Sequence, residues 1–440
     1  MAATAELTEN TITHWTDKNP RKFSHADRST VTLFTTGFPA HTNALLVDAV
    51  ALAGINLEIL EEPNSEALQL GREFGNRGQC NPTYFTVGNL IKKLIHMRDK
   101  EGISTEDIIN NYGFITAGGC GPCRMGMYAT EYRKALRDSG FEGFRVLLLT
   151  RSGDVDDVLM EGLKMGNVDL LRGFGAIMIG DLLNAVNVRK RPFEIEKGSV
   201  DRTMLEVRQT IKTHIRKKQM WRGLWKARKQ IKGMKLDTSK KKPLVHIMGE
   251  FWAKTTDGEG NYNLYRFIEQ EGGVVSSESL IDWLMHQLWR ARWMEKRKRE
   301  SFWMSSSEMK ILLVEKLVKT IFKMMGLVLG ETVKISDHDM LANISHEHFD
   351  LHVDGGEDHM EVAHHIHISK HKLADLIISV KPFTCLSSSA VSDGVQSRIS
   401  DLYPQVEFIA VETNGDGAAN FYSRIQMAMH KVINQMKAGN

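Results

Sequence analysis

The chain has 440 residues, 42% of them hydrophobic and 25% charged, with a formal net charge of +3. That is globular composition with room for two or three domains, and it excludes collagen-like, disulfide-scaffold and disordered chains. So balanced a charge does not suggest a nucleic-acid partner, and the lack of any run of about 18 apolar residues predicts no membrane span.

Residues 1–28 are polar and read as a loose arm without the apolar stretch of a secretory signal, so a reduced cytoplasm is the expected location. Val31 to Thr36 predicts a strand and Gly37-Phe38-Pro39 a turn. An amphipathic helix from about His41 to Ala53 and a strand over Asn56 to Leu60 complete a βαβ unit. The grammar returns in the second half. LVHIMGEFW, from Leu244, reads as a strand, NYNLYRFIEQEGG as a helix stopped at Gly272-Gly273, and the valines that follow as the next strand. The expected architecture is therefore α/β, with two Rossmann-like doubly wound domains over residues 29–205 and 243–440.

Residues 206–242 read as a basic helical linker. Lys212 to Lys242 holds 13 Lys or Arg and one acid, Asp237. Trp221 and Trp225 lie four apart on one helix face. A nucleic-acid or membrane face is one reading. The favoured one is a long connecting helix whose Trp face packs on a domain while its charges stay in water. A helical insertion is expected at about 280–335. Its KILLVEKLVKTIFKMMGLVL stretch is amphipathic, as suits a buried helix or a partner contact rather than a membrane span.

The four cysteines are Cys80, Cys120, Cys123 and Cys385. Cys80 precedes Asn81, a good N-cap, and Pro82, favoured at the first helical position. Cys120 and Cys123 lie in a Gly-rich loop between a strand at Phe114–Thr116 and a helix starting near Arg124. Cys385 follows a strand at Leu376–Val380, and a helix is expected to begin within the serines after it. In open α/β sheets such loops face the ligand crevice. Helix N-termini favour thiolates, and Gly118, Gly119, Gly121 and Gly126 let backbone amides approach sulfur. One close pair and two distant singles suit a cluster held between domains. Four thiolates also suit tetrahedral zinc, and a lone CxxC suits dithiol redox chemistry or plain packing, so spacing leaves all three open.

The segments CNPTYFTVGNLIKKL, GGCGPCRMGMYATEYRKALRDSGF and KPFTCLSSSAVSDGVQSRISDLYPQVEFIAVETNGDGAANFYSRI, with Gly249-Glu250 ending a strand, resemble the iron–sulfur component of the 2-hydroxyacyl-CoA dehydratase superfamily. The closer likeness is to the dehydratase-like domain that accompanies an ATP-dependent activase. The resemblance spans roughly residues 28–200 and 243–437. It implies a [4Fe–4S] cluster between the two domains, held by Cys80, by Cys120 or Cys123 (Cys120 the better match) and by Cys385. It also implies low-potential electrons delivered by a separate activase that carries its own iron–sulfur cluster. Reductive or radical dehydration of a small substrate such as an acyl-CoA follows, as does a homodimer or a heterodimer with a related subunit. The CGPC loop departs from the dehydratases by offering one more thiol. If all four cysteines ligate, the cluster is closed and the chain is an electron carrier or scaffold subunit. If one is free, an open iron faces the substrate.

Other residues carry weaker signals. Arg124 is a candidate partner for cluster charge or a substrate phosphate, or else a solvated first-turn arginine. Glu250 is a candidate proton donor at a strand end, or a salt-bridge residue. Ser387, Ser388 and Ser389 read as capping residues, with donation to sulfur as the sharper idea. His346, His348, His352, His359, His364, His365, His367 and His371 read first as a wet, Gly-broken loop leading into a helix. Metal binding and proton movement beside the cluster are the alternatives. Thr413 to Phe421 reads as a plain turn, with phosphate or activase binding as the alternative.

Overall fold

The structure is a computed structural model that describes residues 21–118, 123–149, 161–298, 304–353 and 357–438. It is α/β, with two four-stranded parallel sheets among many helices. The first sheet comprises β1 (Thr32–Thr35), β2 (Asn56–Ile59), β3 (Tyr112–Ala117) and β4 (Arg145–Leu149), in spatial order β2-β1-β3-β4. Its crossovers carry α1 (Ala40–Ala51), then α2 (Ser65–Phe74), α3 (Asn81–Asp99) and α4 (Thr105–Asn111), then α5 (Tyr128–Asp138). A helical layer follows: α6 (Asn167–Lys190), α7 (Ser199–Arg216) and α8 (Met220–Lys232).

The second sheet repeats the order. β5 (Leu244–Gly249), β6 (Val274–Ser277), β7 (Leu376–Pro382) and β8 (Glu407–Thr413) lie as β6-β5-β7-β8. Between its strands run α9 (Phe251–Thr255) and α10 (Leu264–Gln270), then α11 (Leu280–Lys298), α12 (Ser306–Leu329), α13 (His338–Ser345) and α14 (Asp358–His371), then α15 (Leu386–Val391) and α16 (Ser397–Leu402). The last helix is α17 (Ala418–Ala438). The central strand β7 is buried over Leu376–Val380, as a parallel strand covered on both faces must be. Its Ile378 pairs with Ile247 and Ile409. Both sheets reverse strand order beside their first strand, so the loops after β1 and β3, and after β5 and β7, flank the crevices where such sheets bind ligands.

Three large cores hold the described residues together. Phe34, Leu90, Phe114 and Tyr132 pack α3 and α5 on the first sheet. Val245, Ile378, Phe421 and Ile425 pack α17 on the second. Leu45, Ile179, Leu182, Val207, Leu224 and Phe322 unite α1, α6, α7, α8 and α12. The helices expected as an insertion thus share a core with the linker helices and with α1. The halves are also joined by polar contacts. Asp257 accepts the Ala40 amide at the start of α1 (3.2 Å), Arg72 pairs with Asp416 (2.8 Å), and Arg191 makes a bidentate pair with Glu269 (2.6 Å each).

Several expectations need correction. The basic linker is two helices, broken where Lys218 adopts φ +58°. Its Trp face does not pack on a domain: Trp221 and Trp225 are 42% and 51% exposed, while Gly223, Leu224, Ala227 and Ile231 are buried. Lys229 lies 3.9 Å over the Trp225 ring instead. The arm is not loose up to residue 28, because Phe23 is fully buried and its carbonyl accepts the Gly162 amide (2.7 Å). Residues 1–20 lie outside the described residues. No described helix is long and apolar enough to cross a membrane.

Candidate thiol site between the two sheets

Cys80 is itself the N-cap of α3, with Asn81 and Pro82 in the first turn, one position earlier than expected. Cys123 precedes a 3-10 turn, Arg124–Met127, that leads into α5. Cys385 immediately precedes α15, one residue before the serines. Each described cysteine therefore sits at the start of a helix, where free amides and the helix dipole favour negative sulfur. Cys120, Gly119 and Gly121 lie outside the described residues.

Residues 80, 123 and 385 are far apart in the chain, yet their loops are tied together. The Asn81 amide donates to the Phe383 carbonyl (3.3 Å), and the Thr384 hydroxyl donates to the Gln79 carbonyl (2.7 Å). Arg124 Nε donates to the Thr384 carbonyl (3.2 Å). Arg124 thus joins two cysteine loops, and this contact, rather than a solvated first turn, is its observed role. Thr384 itself holds φ +60°, in the left-handed region where a β-branched residue is rare. The backbone strain sits next to the cysteine it positions.

Cys80 Sγ lies 3.2 Å from both Thr83 Oγ1 and Tyr128 Oη. Burial raises all three thiols, Cys123 to about 11 and Cys385 to about 12, while hydroxyls and amides of Thr83, Met125, Tyr128 and Ser388 work against it. The charge of Glu250 pushes all three up as well, and Cys123 and Cys385 are each raised by Cys80, so the three sulfurs and this carboxyl share one electrostatic environment. Buried thiols so reluctant to ionise as a bare set become thiolates when a cation neutralises them.

Buried polar atoms beside the cysteines lack partners. Among the described residues these include Gln79 Oε1, Asn81 Nδ2 and Ser387 Oγ, within two residues of Cys80 or Cys385, and Trp252 Nε1, two residues after Glu250. Unpaired buried donors are costly, and those on Asn81 and Ser387, one and two residues after Cys80 and Cys385, fit an absent electron-rich group. The donor set thus has the chemistry of a metal–sulfur centre. Among the described residues, however, no three His, Cys, Asp or Glu side chains stand close enough together to hold a metal ion.

Glu250 caps α9, accepting the Ala253 amide at 2.8 Å, and burial raises its carboxyl. Ser388 interacts with Cys385, which is the sharper of the two roles read for the serines. The histidine segment is not simply a wet loop: His359, His364 and His365 are buried in α14, whereas His346, His352 and His371 are exposed. His365 stacks on Phe408 with ring centres 4.2 Å apart, and burial lowers it to about 4, so it is neutral. Thr413 to Phe421 is a turn built on Asn414, whose Oδ1 accepts the Gly417 amide (2.6 Å) and the Tyr262 hydroxyl (2.7 Å).

Sequence reasoning missed Tyr128 and Thr83. Thr83, three residues after an N-cap cysteine, had a readable signal in its spacing; Tyr128 had none. Lys254 was also missed. It is 4% exposed and lies 3.2 Å from Glu278 and 3.3 Å from Glu357.

Scans against family models and curated proteins return no match for this chain.

Proposed function

We propose that this chain is a [4Fe–4S] protein of the dehydratase-like type. In this reading each sheet with its helices is a Rossmann-like doubly wound domain, 206–242 is the linker, and Cys80, Cys385 and one or both of Cys120 and Cys123 are the ligands. When bound, such a cluster supplies single low-potential electrons, delivered by an ATP-dependent activase and spent on reductive or dehydration chemistry on a small substrate. An acyl-CoA thioester is the substrate class suggested by the resemblance. The observation that carries the reading is the set of direct bonds that tie together the loops of three helix-start cysteines.

The chain's own residues divide the work. Thr83, Tyr128 and Ser388 direct hydroxyls at sulfur and hold negative charge there. Arg124 and Thr384 lock the loops. Glu250, just after β5, sets its carboxyl, raised by burial, beside the thiols. The extra thiol of the CGPC loop supports a second reading, a closed cluster in a non-catalytic electron-transfer or scaffold subunit. Purification without oxygen, followed by iron and sulfide analysis and an EPR spectrum of the reduced protein, tests both. About four irons per chain with a low-potential signal supports the cluster. One zinc and no iron refutes it and leaves a zinc-stabilised binding protein.

A further inference from the structure

Behind Glu250 lies a ladder of buried ionisable groups that the cluster reading does not use. Glu357 Oε2 lies 3.3 Å from Lys254 Nζ, and the same ammonium lies 3.2 Å from Glu278 Oε2. Glu278 Oε1 is bonded to His364 Nδ1 (3.1 Å) and to His246 Nε2 (2.9 Å). His364 Nε2 meets Ser336 Oγ at 3.2 Å. Ser336 is only half-buried, and its hydroxyl and amide donate to the two oxygens of Asp282 (3.0 and 2.7 Å). Lys254, His364 and Glu357 are at most 9% exposed, and the Glu278 side chain is 7% exposed. At the inner end, Glu357 Oε1 is buried with no hydrogen-bond partner among the described residues. Its charge opposes the ionisation of Cys123.

We propose that Ser336–His364–Glu278–Lys254–Glu357 is a proton relay from the protein surface to the thiol-lined site, with Glu357 as its terminal donor. A salt bridge built for stability alone needs one carboxylate per ammonium. Here Lys254 has two, and an unpaired buried carboxyl oxygen destabilises the fold. Every link is within proton-transfer distance, and an imidazole bonded on both ring nitrogens passes a proton by releasing one and gaining another. The groups facing Glu357 are Lys254, Glu278, Glu250 and Glu361. Burial first, and then its carboxylate neighbours against the pull of Lys254, raises Glu357 to about 7, so it exchanges protons at neutral pH. Burial alone would raise Glu278 too, but Lys254, His364 and His246 hold it well below the usual carboxylate range, so it carries the negative charge.

The proposal rests on the cluster reading only for what the proton accompanies. One electron arriving from a low-potential donor adds negative charge at the site. Glu357 then gains one proton from Lys254 as Glu278 and His364 return one to Lys254 in the same shift from solvent at Ser336, so that Lys254, held as an ammonium by its two carboxylates, keeps its charge. The first test needs no cluster. In an Asp181→Asn background, which removes the other carboxyl raised to about 7, infrared difference spectra between about pH 6 and about pH 8 are expected to show a protonated-carboxyl band that Glu357→Gln removes. On rapid mixing with D2O, His364→Phe is expected to slow the isotope shift of that band about tenfold or more. A band that persists in Glu357→Gln, or an equally fast shift in His364→Phe, overturns the relay.

The second test uses the iron-loaded protein. Its midpoint potential is expected to fall above about pH 7 by up to about 59 mV per pH unit, a tenfold change in the reduction equilibrium, and to flatten in Glu357→Gln. A flat wild-type potential with four irons present overturns the coupling and leaves the cluster reading intact. A chain without iron fails the cluster reading, and the infrared result still decides the relay.

Discussion

Helices α2 and α3 meet backbone to backbone at two glycines, and this contact sets where Cys80 lies. A Cβ on Gly88 would fall 1.7 Å from the Ala67 carbonyl oxygen, and one on Gly71 would fall 1.8 Å from the Tyr84 carbonyl oxygen. Ordinary contact begins near 3.4 Å, so Gly88→Ala must open the pair by about 1.7 Å, the difference of the two distances. The obstructing atom is backbone and cannot swing aside. Overpacking usually costs about 1–3 kcal/mol, and a gap this wide also forfeits much of the dispersion energy along the interface. We expect Gly88→Ala to destabilise the fold by about 3 kcal/mol. Because α3 begins at Cys80, its displacement also pulls Asn81 from the Phe383 carbonyl, so Cys80, now 6% exposed, should react faster with a maleimide. Guanidinium unfolding followed by circular dichroism reads the first effect and labelling kinetics the second. The control is Gly173→Ala in α6, where nothing lies within 4 Å and φ is ordinary; it should stabilise by about 0.5–1 kcal/mol. The double variant with Gly71→Ala should lose less than the sum of the singles, since both relieve one contact. A Gly88→Ala protein as stable as wild type would refute the close helix contact and the positioning argument with it.

Further outcomes follow from other sites. Cys80→Ala and Cys385→Ala are each expected to abolish iron binding, since neither has a neighbouring spare thiol. Full iron content in either variant removes it from the ligand set. Cys123→Ala should keep a cluster with altered EPR if Cys120 ligates, whereas total loss of iron indicates four-cysteine ligation. Glu269→Ala strips the buried Arg191 of its bidentate partner and should cost about 3–5 kcal/mol in an unfolding titration, far beyond a surface pair. Burial raises Asp181 from 3.8 to about 7, although its Oδ2 accepts the Ile281 amide (2.6 Å). The folded chain then holds a proton that the unfolded chain releases. This contribution is full below about pH 4 and fades as pH rises to about 7, an effect on the order of 4 kcal/mol. Asp181→Asn should gain stability relative to wild type across that range, and a constant difference would show that Asp181 ionises normally.

Much of the architecture was legible because parallel strands and their turns have strong local signatures. Asn56–Ile59, Leu244–Gly249 and Leu376–Pro382 lie where runs of branched residues between Gly, Pro and polar clusters placed them. All three described cysteines lie at helix starts, as their flanking Pro, Gly and Ser residues implied. What local pattern does not encode is which loop meets which. Arg124 reads identically as a solvated residue or a clamp until the Thr384 carbonyl is placed beside it. Trp221 and Trp225 failed for the opposite reason: their spacing set a common face correctly, but α8 turns its Leu224 and Ile231 face inward. His364 looked like one member of a polar tract. Its partners Glu278 and Ser336 are distant in sequence, and only the fold reveals the pairing.

The longest of the bonds that gather the thiol loops spans 305 residues, from Gln79 to Thr384. Loop closure over such a separation comes late, after the local crossovers around each sheet have formed. During synthesis the ribosome releases Cys80 and Cys123 roughly 260 residues or more before Cys385. Any metal or sulfide delivered co-translationally would meet an incomplete ligand set and an exposed, oxidisable pair of thiols. On the proposed reading, loading of this site would be a post-translational event that demands a finished, reduced chain. A truncation between Leu149 and Cys385 would keep all four strands of the first sheet but lose one of the proposed ligands.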